Sequence, residues 1–188
     1  MIFTPNVEKI VHYALVKRRF SQQNISKQFG ISKGYVSRII NQLIKEGMIA
    51  RSKHFRYEVT QPTRLLLLWA VHRKAKNPVF RTTLPLRDNE VEEWLRKEFP
   101  EHVLGLTKAF SKYTGAKTVY TEVYLPRNSI HRLFNKTGFA KKGNIVVFEA
   151  TDNELFGAEN NICSKYLTFT DMYAKGLNQC FRILEILS

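Results

Sequence analysis

A chain of 188 residues with 44% hydrophobic and 12% aromatic side chains holds enough apolar material for a packed core, which excludes a disordered polymer. Thirty Lys and Arg against 16 Asp and Glu leave a net charge of +14, and two cysteines are too few for a disulfide framework or a structural zinc site. The longest apolar run, residues 65–71, is far shorter than the roughly 20 residues that span a bilayer, and residues 1–9 lack the design of a signal peptide. A soluble cytoplasmic chain with no membrane partner is therefore expected, with Cys163 and Cys180 as buried reduced thiols.

The positive charge is unevenly spread. Residues 1–76 hold 15 Lys and Arg and three acids (Glu8, Glu46 and Glu58), a net of +12, whereas residues 77–188 hold 15 and 13, a net of +2. Concentrated positive charge favours densely anionic partners.

Val7, Ile10, Val11, Ala14 and Leu15 recur at helical spacing behind two candidate caps, Thr4 and Asn6, which predicts a first helix over residues 6–18. Ser21 offers a second cap, and Ile25 and Phe29 form a short stripe that stops at Gly30. Ser32 is a third cap, followed by Val36, Ile39, Ile40, Leu43 and Ile44 up to Gly47, a longer third helix. Two helices joined by a tight glycine-containing turn make a helix-turn-helix pattern. Residues 48–52 and 56–60 then read as strands of a hairpin, or wing, turned by Lys53, His54 and Phe55. The stretch "FSQQNISKQFGISKGYVSRIINQLIKEGMIARSKHFRYEV" resembles the winged-helix DNA-binding domains of prokaryotic regulators in its joint pattern of caps, turn glycine and apolar spacing.

Removing the core positions from the third helix leaves Lys33, Gly34, Tyr35, Ser37, Arg38, Asn41, Gln42 and Lys45. A recognition helix presents its N-terminal half to base edges in the major groove, so Lys33, Gly34, Tyr35, Ser37, Arg38 and Asn41 are the predicted base-contacting set. Arg38 ranks first, because arginine can donate two hydrogen bonds to guanine, while Asn41 suits adenine and Gly34 permits close backbone approach. Gln42, Lys45, Arg51, Lys53, His54 and Arg56 are expected on the DNA backbone, placing the protein without reading sequence.

Pro62 begins a further apolar helix, with Leu65, Leu66, Leu68, Trp69 and His72, running to about Lys76. Its partner is open: the winged helix, the next domain or a second copy. Asn77-Pro78 breaks it, setting a boundary between a DNA-binding domain at 1–76 and a second domain at 77–188. The second domain reads as a strand at 79–86, helices at 89–99 and 103–113, a strand at 119–125, a helix at 129–136, a strand at 144–150 and one or two helices over 170–187. Such alternation predicts an α/β sandwich of two or three layers, and the whole chain is of the α+β class.

Within it, "YTGAKTVYTEVYLP", "GNIVVFEATDNELFG" and "ICSKYLTFTDMYAKG" are similar to the C-terminal domain of the AbiEi-like antitoxin family of type IV toxin–antitoxin systems. That resemblance implies a repressor of its own operon whose second domain resembles a catalytically inactive nucleotidyltransferase fold. A working nucleotidyltransferase needs a Gly-Ser phosphate turn and two or three carboxylates on a strand to hold Mg²⁺. Here Glu122 stands alone on its strand, and Asp152 and Glu154 fall in a turn. The five histidines show no metal-ligand spacing and no P-loop is present, so no catalytic residue, metal or cofactor is expected. The expected partners are double-stranded DNA, a second copy in a homodimer, and a protein reached through the second domain, with the chain on the nucleoid. The rival functions are a nucleotidyltransferase-like enzyme and a replication or partition factor.

Overall fold

The computed structural model describes residues 2–53 and 56–187, which form two compact units, Met1–Arg73 and Lys74–Ser188.

In the first unit, helix α1 spans Pro5–Lys17. The Thr4 hydroxyl accepts the Val7 amide at 3.4 Å, and Pro5 occupies the first turn, where a missing N–H leaves nothing unsatisfied. The helix thus starts one residue before the predicted position. It ends at Arg18, whose carbonyl accepts the Val59 amide at 2.9 Å, and the chain passes directly into a two-residue strand, β1 (Arg19–Phe20). That strand was not anticipated. Helices α2 (Gln22–Phe29) and α3 (Lys33–Lys45) follow, capped by Ser21 and Ser32, with Gly30 between them at φ 65°, a conformation that favours glycine. Strands β2 (Ile49–Ser52) and β3 (Arg56–Val59) pair antiparallel, and β1 adds to the far side of β3, giving the order β1-β3-β2. His54 and Phe55, predicted at the wing tip, lie outside the described residues.

Helix α4 (Pro62–His72) stops short of the predicted Lys76. It packs on α1: Trp69 is fully buried beside the His12 ring, with centroids 5.1 Å apart, and Leu65, Leu66 and Ala70 are buried with it. The Arg73 guanidinium pairs with the Glu8 carboxylate, a bond between two largely buried side chains that fastens the end of α4 to the start of α1.

The second unit carries a four-stranded sheet of order β4-β7-β6-β5, from β4 (Phe80–Thr82), β5 (Val103–Leu104), β6 (Thr121–Leu125) and β7 (Ile145–Glu149). Strands β6 and β7 run parallel, and the two edge strands are antiparallel to their neighbours. Because side chains alternate along a strand, Phe80, Val123, Leu125, Ile145 and Val147 share one face. That face packs with Val91, Leu95 and Phe99, from α5 (Asp88–Glu98) and its C-cap, and with Ile130 and Leu133 of α7 (Arg127–Thr137). The opposite face meets α6 (Leu106–Thr114) and α9 (Lys165–Ala174): the buried Tyr124 hydroxyl donates to Asp171, and Lys175 lies 4.6 Å over the Phe148 ring. The unit is a three-layer sandwich closed by a 3₁₀ turn at Asn178–Phe181 and by α10 (Arg182–Leu187).

Three readings of this unit change. The helix predicted over 103–113 is a strand and then a helix: Val103 and Leu104 pair with Tyr124 and Val123, and Gly105 is extended against the Tyr124 ring, where a Cβ would lie 2.2 Å from a ring carbon. The strand predicted at 79–86 shortens to β4, because the Asn144 side chain takes both the amide and the carbonyl of Leu84. The turn at Asp152 and Glu154 is a one-turn helix, α8 (Asp152–Leu155), in which Glu154 closes a capping box with Thr151. Glu154 is buried and pairs with Lys76 at 2.8 Å, so the lysine predicted to end α4 instead anchors the second unit.

His102 is buried, with Nδ1 donating to the Phe99 carbonyl at 2.7 Å. Burial holds its pKa below the ordinary 6.5, against the opposing pull of that hydrogen bond. The imidazole stays neutral in the fold but takes up a proton once unfolded, so stability is lost as pH falls below 6.5. Urea midpoints are expected to drop between pH 7 and 5.5, and His102→Gln to flatten that drop.

Candidate nucleic-acid interface

Helix α3 is amphipathic by its sequence spacing. Val36, Ile39, Ile40 and Leu43 are buried, so the residues between them must face outward. Gly34, Ser37, Arg38, Asn41, Gln42 and Lys45 together line one open groove along the helix. They fall at successive three- and four-residue steps, which is the condition for sharing a helix face. All six are among the residues singled out from the sequence, and the structure brings them onto one stripe.

Lys33 and Tyr35 stand apart from that stripe. Lys33 is exposed at the first turn of α3. Tyr35 is half-buried, and its hydroxyl is 3.0 Å from the Thr4 hydroxyl, the same group that caps α1. The Arg38 guanidinium lies over the Tyr35 ring, 4.8 Å from its centroid. Tyr35 is thus a shelf for Arg38, braced from α1, and its hydroxyl is occupied within the protein. The sequence marks Thr4 only as a cap; its link to Tyr35 spans 31 residues and leaves no local signal.

On the wing, Arg51, Lys53 and Arg56 are exposed, while His54 lies outside the described residues. The wing sheet is braced by Gln22, whose amide donates to the Tyr57 hydroxyl at 2.8 Å, and by the Arg19–Glu58 pair at 3.1 Å. The acids of this unit face other groups: Glu8 meets Arg73, Glu58 meets Arg19, and Glu46 accepts from Gln42. Among the described residues, no carboxylate pairs with Lys33, Arg38, Lys45, Arg51, Lys53 or Arg56. These six cations, unpaired with any described carboxylate, lie on the recognition helix and wing, an arrangement that suits a row of phosphates.

Glu122, the lone acid of its strand, is engaged within the second unit. Its carboxylate accepts the Thr107 amide at 2.7 Å and the Thr107 hydroxyl, holding the start of α6 to β6. Among the described residues, no three His, Cys, Asp or Glu side chains gather in a way that could hold a metal ion, and no helix is long and apolar enough to cross a membrane.

The first unit is a winged helix-turn-helix: three helices, the second and third joined by the Gly30 turn, and a hairpin wing extended by β1. Residues 16–55, from the end of α1 past β2 but short of β3, match the MarR family, a winged-helix DNA-binding family. No curated protein matches the chain.

Lys53→Ala is expected to weaken binding to every duplex about equally and to lower the slope of log K against log salt by about 1, since one phosphate contact is lost. Titrations of two unrelated duplexes at several salt concentrations check both parts.

Proposed function

We propose that this chain is a sequence-specific regulator of transcription that binds double-stranded DNA as a homodimer and represses its own operon, as an antitoxin would. The observation that carries this reading is the α3 stripe from Gly34 to Lys45, flanked by cations that no carboxylate among the described residues neutralises. Arg38 and Asn41 read base edges with Ser37 and Lys33, Gly34 lets the helix approach closely, and Tyr35 positions Arg38. Gln42, Lys45, Arg51, Lys53, His54 and Arg56 hold the backbone.

The antitoxin role rests on the resemblance of the second domain, 77–188, to the AbiEi-like C-terminal domain, and an inactive nucleotidyltransferase-like unit accords with Glu122 capping α6. That unit takes a protein partner. The dimer has a ready surface in the groove of Met48, Leu67, Leu68 and Val71 on the outer side of α4. As a DNA-bound regulator the chain resides in the cytoplasm, on the nucleoid.

Mapping bound sites across the genome together with transcript levels in a deletion strain tests the role. A peak upstream of the chain's own gene, with transcription from that promoter rising on deletion, supports it. Sites confined to a replication origin or a partition locus, with transcripts unchanged, would assign a different role to the same fold.

A further inference from the structure

Strand β4 lies at one edge of the second unit's sheet. The segment 138–144 leads into β7 and is pinned to both of its neighbours: the Ala140 amide donates to the Arg81 carbonyl of β4 at 2.9 Å, and the Asn144 carbonyl accepts the Thr121 amide of β6 at 2.8 Å. Near the first pin, the Arg81 guanidinium lies over the Tyr120 ring, 5.4 Å from its centroid. Arg81 lies on β4, Val119 and Tyr120 lead into β6, and Phe139, Lys141 and Lys142 lead into β7, so all six lie toward the same end of the sheet, where Thr82 and Thr121 both pair with Ile145. Phe139 is 69% exposed, Val119 81% and Tyr120 43%, and both lysines are exposed.

An apolar group of this size normally belongs in the core, and its gathering at one end of the sheet marks a contact surface. The surrounding charge tells what kind. Between residues 117 and 148, six Lys and Arg stand against a single acid, Glu122, which is turned to Thr107; Arg132 and Lys136 pair with Glu101 and Glu98, which leaves Lys117, Arg127, Lys141 and Lys142. Asp88, which touches Thr121, is paired with Lys108. Among the described residues no carboxylate pairs with Lys141, Lys142 or Arg81, so the surface presents flat rings and unneutralised cations together.

Rings alone would suit any apolar partner, and lysines alone any polyanion. The combination fits a ligand that alternates flat bases with phosphates. In a duplex the bases are already stacked on one another and offer the rings no face, so the matching ligand has unpaired nucleotides. The choice of DNA over RNA rests on the reading of the first unit as a DNA-binding module, which would hold this surface at high local concentration near a melted strand. We propose that this end of the sheet binds single-stranded DNA, with Phe139 and the face of Tyr120 that Arg81 leaves open stacking on unpaired bases and Arg81, Lys141 and Lys142 neutralising phosphates.

The test uses the full chain and a short fluorescein-labelled oligothymidine, followed by anisotropy at low salt, with a duplex and an oligouridine in parallel. Phe139→Ala is expected to weaken oligothymidine binding about 5-fold or more, the loss of one stacked base. Lys141→Glu with Lys142→Glu should weaken it further and reduce its salt dependence, and Arg38→Ala should leave it unchanged. Because the substituted side chains are exposed, the variants should keep the parent's melting temperature. No oligothymidine binding, loss of it in Arg38→Ala but not in Phe139→Ala, or tighter binding of oligouridine would each overturn the proposal. So would Phe139→Ala converting a dimer to a monomer in sedimentation while oligothymidine affinity held. Oligothymidine binding that survives where duplex binding is absent would uphold this surface and remove only the reading of the first unit.

Discussion

Arg38→Ala is expected to leave the chain folded and still bound to DNA, but to lower its preference for the right base at one position by about 5- to 150-fold. That range corresponds to the roughly 1–3 kcal/mol of discrimination that a bidentate arginine supplies. The side chain is exposed in the α3 groove, so no core packing is lost. Its aim comes from the Tyr35 ring beneath it, and that ring is fixed by the Thr4 hydroxyl. Tyr35→Leu should therefore reproduce part of the Arg38→Ala effect with Arg38 still present, whereas Lys45→Ala should weaken all sequences alike. Competition titrations against single-base variants of the bound site separate the two behaviours. A loss in Arg38→Ala that is uniform over all sequences would make Arg38 a phosphate contact.

Trp69→Ala is expected to destabilise the first unit by about 3–5 kcal/mol, the range for removing a large aromatic from a core. Trp69 is fully buried between α4 and α1, among Leu65, Leu66 and Ala70. Among the described residues the indole nitrogen has no hydrogen-bond partner, so the side chain contributes by packing. Domains of this size are stable by only about 5–15 kcal/mol, so the loss removes a large fraction of the total. DNA binding should then disappear at temperatures where the second unit is still folded, visible as two separated transitions in a thermal scan. Thr63→Ala on the same helix, at an exposed position outside that groove, should change stability by less than about 0.5 kcal/mol.

The helix-turn-helix was legible because its signals are local. Ser21 and Ser32 cap, Gly30 turns, and the apolar spacing of Val36, Ile39, Ile40 and Leu43 names the buried face and hence the exposed one. What escaped depends on partners distant in sequence. A strand as short as Arg19–Phe20 has no period to detect, and it exists because Glu58 and Tyr57 pair with it. Val103 to Phe110 reads as one helical run until Val123 and Tyr124 claim its first two residues for the sheet. The pairing of Arg38 with Tyr35 is of the same kind: both were visible as surface residues, but only the fold puts the Tyr35 ring under Arg38 and its hydroxyl against Thr4. In the second unit, the near-balanced total concealed a local imbalance, since acids gather on α5 and the residues between 117 and 148 hold six cations and one acid.

The central claim is that the first unit grips duplex DNA through α3 and the wing. The most direct measurement is binding of the full chain to the DNA upstream of its own gene across a salt series. The account predicts retardation at low salt and an affinity that falls steeply and linearly in log K against log salt, as several phosphate contacts release counterions. Absence of binding at low salt, or an affinity indifferent to salt, would contradict it.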